Sequence, residues 1–214
     1  LNKAQMRFGI TLEKSPRFIF LKSRHWVEAS RYPFLTMLGQ SLGSIVLAFE
    51  ALLQLAPHVY IDTMGYSWTF PFFYYFARST VSAYVHYPTI SLDMTSAVSD
   101  RTSSVNNAGS IASSAWKTKL KLKYYDLFAS LYTFMGRYSS LTMVNSSWTK
   151  SHIDHLWGPS KSHLIYPPCD TRGLQQLPMS RKNRREIVSI AQFRPEKNHF
   201  LQVEIMDELI HKSS

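Results

Sequence analysis

The sequence predicts an α/β protein built on an open parallel sheet. Short apolar runs of strand length alternate along the chain with segments of helical periodicity, which is typical of parallel strands joined by crossover helices. The stretch "SIAQFRPEKNHFLQ" shows the unit, because residues 187–191 read as a buried strand and apolar residues recur beyond it at Leu201, Ile205 and Leu209. Open sheets of this kind bind ligands at the carboxyl ends of their strands, so we expect functional residues there.

The other elements follow in chain order. Residues 17–21 ("RFIFL") predict a strand, and residues 33–57 predict a long helix bounded by prolines. Glu50 and Gln54 interrupt the apolar part of this helix, which is shorter than the ~20 residues of a membrane span, so we interpret it as a core or interfacial helix. Further elements are predicted as strand 58–63, aromatic helix 68–77, strand 80–88, helix 119–137, strand 141–145, helix 146–157 and strand 162–170. Residues 91–115, rich in Ser, Thr and Asn, predict a loop or lid.

The charge of the chain favours anionic partners. Its 24 Lys and Arg outnumber its 14 Asp and Glu, giving +10, so the surface attracts phosphorylated substrates, anionic lipid or nucleic acid. Basic residues cluster in residues 1–31, in 116–123 ("WKTKLKLK") and in 181–186 ("RKNRRE"). The lysines of 116–123 are either a solvated face or a contact with anionic membrane. The aromatic residues of the apolar run 68–77 lie away from these clusters, which argues against nucleic acid. The single cysteine excludes an internal disulfide framework and favours a reducing compartment.

Two places at predicted strand ends could contact a ligand. Arg194 and Lys197 precede the last helix, where the positive end of the helix dipole disfavours cations by about 0.3–1 kcal/mol. A phosphate at this place would make both cations favourable, whereas a solvated pair neutralised by Glu196 is the plain alternative. Asp62 and His86 close two earlier strands. Taken alone, His86 is more readily a structural histidine than a group that faces a ligand.

Two other patterns have structural interpretations. His152 and His155 are expected on a solvated helix face and not at a metal. The sequence 145–147 is a formal glycosylation acceptor, but Ser146 or Ser147 is expected to cap the helix that follows. No Asp-x-Asp pair, Gly-x-Gly-x-x-Gly or Walker A motif occurs in the sequence.

Five motifs taken together resemble one enzyme family. They are "YIDTMGYSWTFP", "YVHYPTISLDM", "MVNSSWT", "IYPPCD" and "QFRPEKNH", in this order between about residues 17 and 210. They resemble the asparagine-linked glycosylation α-1,2-mannosyltransferases, which use GDP-mannose to add the fourth and fifth mannoses to the dolichol-linked oligosaccharide on the cytosolic face of the endoplasmic reticulum. The resemblance implies a retaining transferase of glycosyltransferase family four with the GT-B fold, in which two Rossmann-like domains face each other across a cleft and no metal is required.

The resemblance also implies roles for individual residues. The donor-site loop would comprise Gln192, Arg194, Glu196, Lys197 and Asn198. Lys197 would contact the donor diphosphate, and Arg194 would replace a partner arginine whose usual place is taken by Gln192. His86 would be the catalytic-site histidine that contacts the transferred mannose.

The same resemblance predicts the domain organisation. Residues 1–170 would form most of the acceptor-side Rossmann-like domain, 171–185 a linker, and 186–214 the start of the donor-binding domain. We expect a fragment cut at both ends, because the family's second-domain acidic motif, glycine-rich first loop and membrane anchor are not found. Expected partners are GDP-mannose, the dolichol-linked oligosaccharide, a membrane surface and other mannosyltransferases of the same pathway, with no cofactor, metal or nucleic acid. An inactive fragment, a basic membrane-binding module and a family-four transferase for another sugar nucleotide remain alternatives.

Overall fold

Four parallel strands form one sheet. The computed structural model describes residues 5–6, 8–91, 94, 115–158, 162–177, 186–194 and 197–212. The strands are β1 (Val59–Asp62), β2 (Thr80–Val85), β3 (Leu141–Val144) and β4 (Ser162–Leu164). They lie in the sheet in the same order as in the chain, and each neighbouring pair is parallel. The predicted α/β class with a parallel, Rossmann-like sheet is confirmed.

Helices precede, connect and follow the strands along the chain. They are α1 (Thr36–Gln54), α2 (Phe70–Phe76), α3 (Ala115–Gly136), α4 (Ser147–Trp157), α5 (Arg172–Gln175) and α6 (His199–Lys212). Short 3-10 turns occur at Lys22–Val27, Ala29–Arg31 and Ser67–Thr69. Right-handed crossovers between strands that advance in one direction place their helices on the same face. In agreement with this, α3 contacts both α2 and α4.

The hydrophobic core covers one face of the sheet. The strand residues that belong to the core or pack against it are Tyr60, Val81, Ala83, Val85 and Val144, which the register places on the same face. On the opposite face of β1, Val59 and Ile61 are 56% and 54% exposed. A doubly wound parallel sheet buries both faces. In the described part of the chain, the second face of β1 is therefore open.

α1 is held against the domain by a charged side chain. Among the described helices, α1, with 19 residues, is long and apolar enough to cross a membrane by length and composition. The residues that it buries are Gly43, Ser44 and Ala48. The Glu50 carboxylate accepts hydrogen bonds from the backbone N–H groups of Lys22 and Ser23, each at 2.7 Å. Glu50, which interrupts the apolar sequence, thus satisfies unpaired donors at the start of the turn Lys22–Val27, as expected for a core or interfacial helix.

Two predicted strands are wrong. Residues 17–21 and 187–191 are not strands, and Ile187, Val188 and Ile190 are 74%, 77% and 95% exposed. A strand is stable only when it pairs with a neighbour, and neither run has one among the described residues. α6 follows as predicted but buries none of its residues. The predicted loop 91–115 falls almost entirely outside the described residues.

The aromatic segment that follows β1 is divided between core and surface. Phe70 and Phe73 are 0% and 4% exposed and belong to the core, whereas Phe76 is 69% exposed. Tyr60 stacks on Phe73 with ring centroids 3.7 Å apart. This stacking packs α2 against β1.

Candidate functional site

Asp62 shapes the turn that follows β1. Its carboxylate is buried and accepts hydrogen bonds from the backbone N–H groups of Met64 at 3.1 Å and Gly65 at 2.9 Å. Gly65 has φ +83°, a conformation that glycine adopts without strain. Burial raises the pKa of Asp62, although these backbone hydrogen bonds oppose the shift. Asp62 therefore lies at the predicted edge, but its oxygens are occupied by the turn.

His86 follows β2 at the same edge. It is exposed, and its ring lies 4.9 Å from that of Tyr84 in an edge-to-face contact. Its backbone oxygen accepts a hydrogen bond from the Thr149 hydroxyl at 3.3 Å, which fixes the backbone to α4. The main chain of His86 is thus held in place while its ring faces solvent. This geometry leaves the ring accessible to a ligand, and its catalytic role stays a prediction.

The strand-to-helix junction after β3 is a capping motif. Ser146 is the N-cap of α4, and its hydroxyl oxygen accepts a hydrogen bond from the Thr149 N–H at 3.1 Å. The Thr149 hydroxyl also lies 2.9 Å from the side-chain oxygen of Asn145. The prediction that a serine of this segment caps the helix is confirmed for Ser146.

The two histidines of α4 differ in their surroundings. His155 is exposed, as predicted. For His152 the prediction of a solvated face is wrong, because this residue is 7% exposed and its ring lies 4.0 Å from that of Trp148. Its Nδ1 atom lies 2.9 Å from the Trp148 backbone oxygen. His152 is therefore a buried residue that packs against Trp148.

A groove of about 950 Å³ lies beside the carboxyl end of β2. Its lining residues come from positions 33–40 before and within α1, from Tyr87 and Thr89 after β2, from Met94, and from positions 117–125 of α3. Most of the lining side chains are apolar or aromatic. We call this concavity the edge groove.

A smaller pocket of about 250 Å³ adjoins the edge groove. The two share Met37, Gln40 and Thr89. The rest of its wall comprises Ser41, Ser44, Met64, Gly65, Tyr66, Ser67 and Trp68. The Ser67 hydroxyl and the Trp68 indole N–H are buried without a hydrogen-bond partner among the described residues. An apolar groove and a hydroxyl-lined pocket thus meet at the edge where open α/β sheets bind ligands.

α3 begins with lysines at the wall of the edge groove. Lys117 and Lys121 line the groove, whereas Lys119 and Lys123 are exposed outside it. The Lys121 ammonium lies 5.5 Å from the centre of the Tyr125 ring, and burial lowers the pKa of Lys121. Because residues 115–136 are helical, the alternating lysines form two pairs with i,i+4 spacing. The pair Lys117 and Lys121 borders the groove, and the pair Lys119 and Lys123 does not.

The described residues of the predicted donor-site loop form a hydrogen-bonded turn before α6. The Arg194 N–H donates to the Gln192 backbone oxygen at 2.9 Å, and the Lys197 N–H donates to the Arg194 backbone oxygen at 3.0 Å. Asn198 has φ +45°, and its side-chain oxygen accepts from the Leu201 N–H at 3.4 Å, so that it caps α6. Arg194 and Lys197 are both exposed.

The structure brings four of the six predicted site residues together in this turn. Glu196 lies outside the described residues. The hydrogen bonds described for Gln192, Lys197 and Asn198 stay within residues 186–212, so no contact with His86 is shown. The donor-site roles of these residues stay predictions.

Fold and site define a Rossmann-like α/β domain with a ligand-binding edge. Residues 1–157 match the family model described as "ALG11 mannosyltransferase N-terminus", and the chain belongs to this family. It is 47% identical over 218 residues to the Mus musculus protein named GDP-Man:Man(3)GlcNAc(2)-PP-Dol alpha-1,2-mannosyltransferase, covering 100% of this chain and 44% of that relative.

Two other relatives carry the same name. The Homo sapiens protein is 47% identical over 216 residues, which are 99% of this chain and 44% of the relative. The Dictyostelium discoideum protein is 47% identical over 220 residues, which are 99% of this chain and 43% of the relative. The chain therefore spans less than half the length of these relatives. No solved structure matches it.

Sequence reasoning missed the edge groove. Phe34 and Leu35, at its rim, belong to none of the recognised motifs. The sequence "WKTKLKLK" could have indicated part of this groove. In a helix, Lys117, Lys121 and Tyr125 lie on a single face, and all three line the groove.

Proposed function

We propose that this chain supplies the acceptor-side half of a GDP-mannose-dependent α-1,2-mannosyltransferase that acts on the dolichol-diphosphate-linked oligosaccharide. The observation that carries the proposal is the identity of 47% along the whole chain with relatives of that name. In this proposal the enzyme is a retaining transferase that adds the fourth and fifth mannoses of the glycan. It acts at the cytosolic face of the endoplasmic reticulum membrane.

The accessible side chain of His86 supports a role at the transferred sugar. His86 is exposed at the edge of the sheet, and its neighbour Tyr87 lines the edge groove. In the proposed reaction, the His86 ring contacts the mannose as it leaves the donor. The Thr149 hydroxyl, which donates to the His86 backbone oxygen, keeps the residue in position.

Arg194 and Lys197 support a role at the donor diphosphate. The leaving GDP gains negative charge during transfer, so that cations placed at the diphosphate stabilise the transition state. The N–H groups at the start of α6 add partial positive charge at the same place.

In this proposal residues 186–214 begin the donor-binding domain, residues 171–185 form the linker, and residues 1–170 form most of the acceptor-side domain. Gln192, Glu196 and Asn198 complete the donor-site loop.

An exposed apolar strip on α1 supports contact with a membrane. Leu42, Val46, Phe49 and Leu53 follow one another on a single helix face and are 50%, 44%, 45% and 89% exposed. The Phe49 ring lies 6.0 Å from that of Phe76, which is also exposed, so the strip continues onto α2. We call these five residues the membrane face. A contiguous exposed apolar surface marks an interaction site. An enzyme whose acceptor is anchored in the bilayer must bind the membrane surface, and the membrane face could provide this contact.

A chimera tests the proposed function. Residues 1–214 of this chain replace the matching segment of the Mus musculus relative, and the purified chimera receives GDP-mannose and a lipid-diphosphate-linked trimannosyl acceptor. We expect two mannoses to be added, both removable by an α-1,2-mannosidase, and none with UDP-glucose as donor. The same chimera with Lys197→Ala is the matched control for donor binding.

A folded chimera that transfers no mannose would contradict the proposal. Binding of the chain to anionic vesicles without transfer in the chimera would favour the membrane-binding module instead. Transfer from UDP-glucose in place of GDP-mannose would favour the alternative of another sugar nucleotide.

A further inference from the structure

We propose that the edge groove binds the isoprenoid diphosphate end of the lipid acceptor. The isoprene units nearest the diphosphate occupy the apolar part of the groove, and the diphosphate lies against Lys117 and Lys121. The inference rests on the proposed function for the identity of the lipid, whereas binding to the groove is tested without any transfer of sugar.

The size and lining of the groove fit an apolar chain. Its volume of about 950 Å³ lies at the upper end of the range of roughly 300–1,000 Å³ found for ligand pockets. Phe34, Leu35 and Leu120 line it and are 85%, 56% and 56% exposed. Large apolar side chains gathered and exposed around one concavity indicate an apolar ligand. Leu35 has φ +51°, a conformation unfavourable for a residue with a Cβ atom, and such strain is concentrated at functional sites.

The two lysines that line the groove fit a diphosphate. Lys117 and Lys121 lie in the first two turns of α3, and the first turn contains no acidic residue. A diphosphate near the two ammonium groups makes charge-assisted hydrogen bonds with both of them. The groove therefore combines two cationic side chains with a largely apolar wall. An isoprenoid diphosphate matches both features, whereas inorganic phosphate and a neutral lipid each match only one.

The position of the groove also fits the acceptor. Tyr87 and Thr89 of its wall follow directly on His86, at the carboxyl end of β2. A lipid diphosphate bound there lies at the same sheet edge as the histidine proposed to contact the mannose. The smaller pocket, which shares Thr89 and Gln40 with the groove, extends this edge with hydroxyl groups that suit a sugar.

The experiment measures direct binding to the 214-residue chain. Farnesyl diphosphate below its micelle concentration, farnesol and inorganic diphosphate are titrated by isothermal calorimetry. We expect farnesyl diphosphate to bind about tenfold more tightly than either of the other two compounds, because only it fills both parts of the groove.

Two pairs of variants locate the site. Lys117→Gln with Lys121→Gln should weaken binding of farnesyl diphosphate about tenfold or more, since two charge-assisted contacts are lost. The matched control, Lys119→Gln with Lys123→Gln, removes the same charge from the exposed side of the same helix and should leave the affinity unchanged.

In the apolar part of the groove, Leu120→Gln should weaken the binding of farnesyl diphosphate. Leu127→Gln, which alters an exposed leucine of α3 outside the groove, is its control. Circular dichroism melts establish that each variant is folded.

Equal affinity for inorganic diphosphate would overturn the proposal by showing an anion site alone. Equal affinity for farnesol would overturn it by showing an apolar groove alone, and equal losses in both lysine variants would show an effect of net charge. If the chimera transfers mannose but the chain does not bind farnesyl diphosphate, only the groove is refuted. If the chain binds but the folded chimera is inactive, only the proposed function is refuted.

Discussion

Gly43 permits the close approach of α1 to the turn Lys22–Val27. A Cβ atom added at Gly43 would lie 1.9 Å from the backbone oxygen and 2.6 Å from the carbonyl carbon of Trp26. These are backbone atoms, which cannot rotate away as the end of a side chain can. Overpacking of this kind costs typically ~1–3 kcal/mol, and the backbone contact places Gly43→Ala at the upper end. Alanine is favoured over glycine in a helix by about 1 kcal/mol, so the expected net loss is about 2 kcal/mol.

Urea and thermal unfolding measure this loss. For a chain of this size, a loss of about 2 kcal/mol corresponds to a midpoint lower by about 4–8 °C. Gly173→Ala is the matched control, because a Cβ atom at Gly173 would meet no atom within 4 Å. It should not lower the midpoint. Since residues 33–40 at the start of α1 line the edge groove, Gly43→Ala should also weaken the binding of farnesyl diphosphate. A Gly43→Ala variant as stable as the control would refute the close contact between α1 and the turn.

Three further predictions concern the helix cap, an ion pair and the membrane face. Ser146→Ala removes the N-cap of α4 and should lower the unfolding free energy by about 1 kcal/mol in urea titrations. Burial opposes the ionisation of Asp154, but hydrogen bonds from Lys150 and Ser162 outweigh it and lower its pKa. Its stabilising contribution is therefore complete above the unfolded pKa near 3.8 and is lost as the pH falls through the lower folded pKa. Asp154→Asn should lower the melting midpoint at pH 7 and leave it unchanged once the pH is below the folded pKa; an equal loss at both would contradict this. Leu53→Gln should reduce flotation with anionic vesicles at high salt without changing the midpoint, because apolar insertion is not screened.

The sequence was sufficient to predict the alternation of strands and helices but not the number of covered faces. Val59 and Ile61 belong to an apolar run, as in a strand buried on both sides, yet they lie on the open face of β1. The periodicity of apolar residues shows which face of a segment can be buried. It does not show whether another element of the fold covers that face. The same reason accounts for the error at 187–191, where an apolar run of strand length has no neighbouring strand among the described residues.

The candidate site was predictable where it depends on position along the chain. His86, Arg194 and Lys197 were expected from strand ends and from the motif resemblance, and the structure describes all three as exposed. The edge groove was not predictable, because Leu35 and Leu120 are more than 80 residues apart in the sequence and line the same groove only in the folded chain. The contact between His152 and Trp148 is different, because it has i,i+4 spacing within α4 and could have been inferred from the sequence.

Initial-rate kinetics of the chimera, with GDP-mannose and the lipid acceptor both varied, test the division into a donor and an acceptor side most directly. Lys197→Ala should lower kcat/KM for GDP-mannose by roughly tenfold to a hundredfold, as expected for a lost contact of ~1.5–3 kcal/mol with a charged group, with an unchanged melting midpoint. Lys121→Gln should instead raise the KM for the acceptor and leave that for GDP-mannose unchanged. Unaltered kinetics in both variants, or the same change for both substrates in each, would contradict the account.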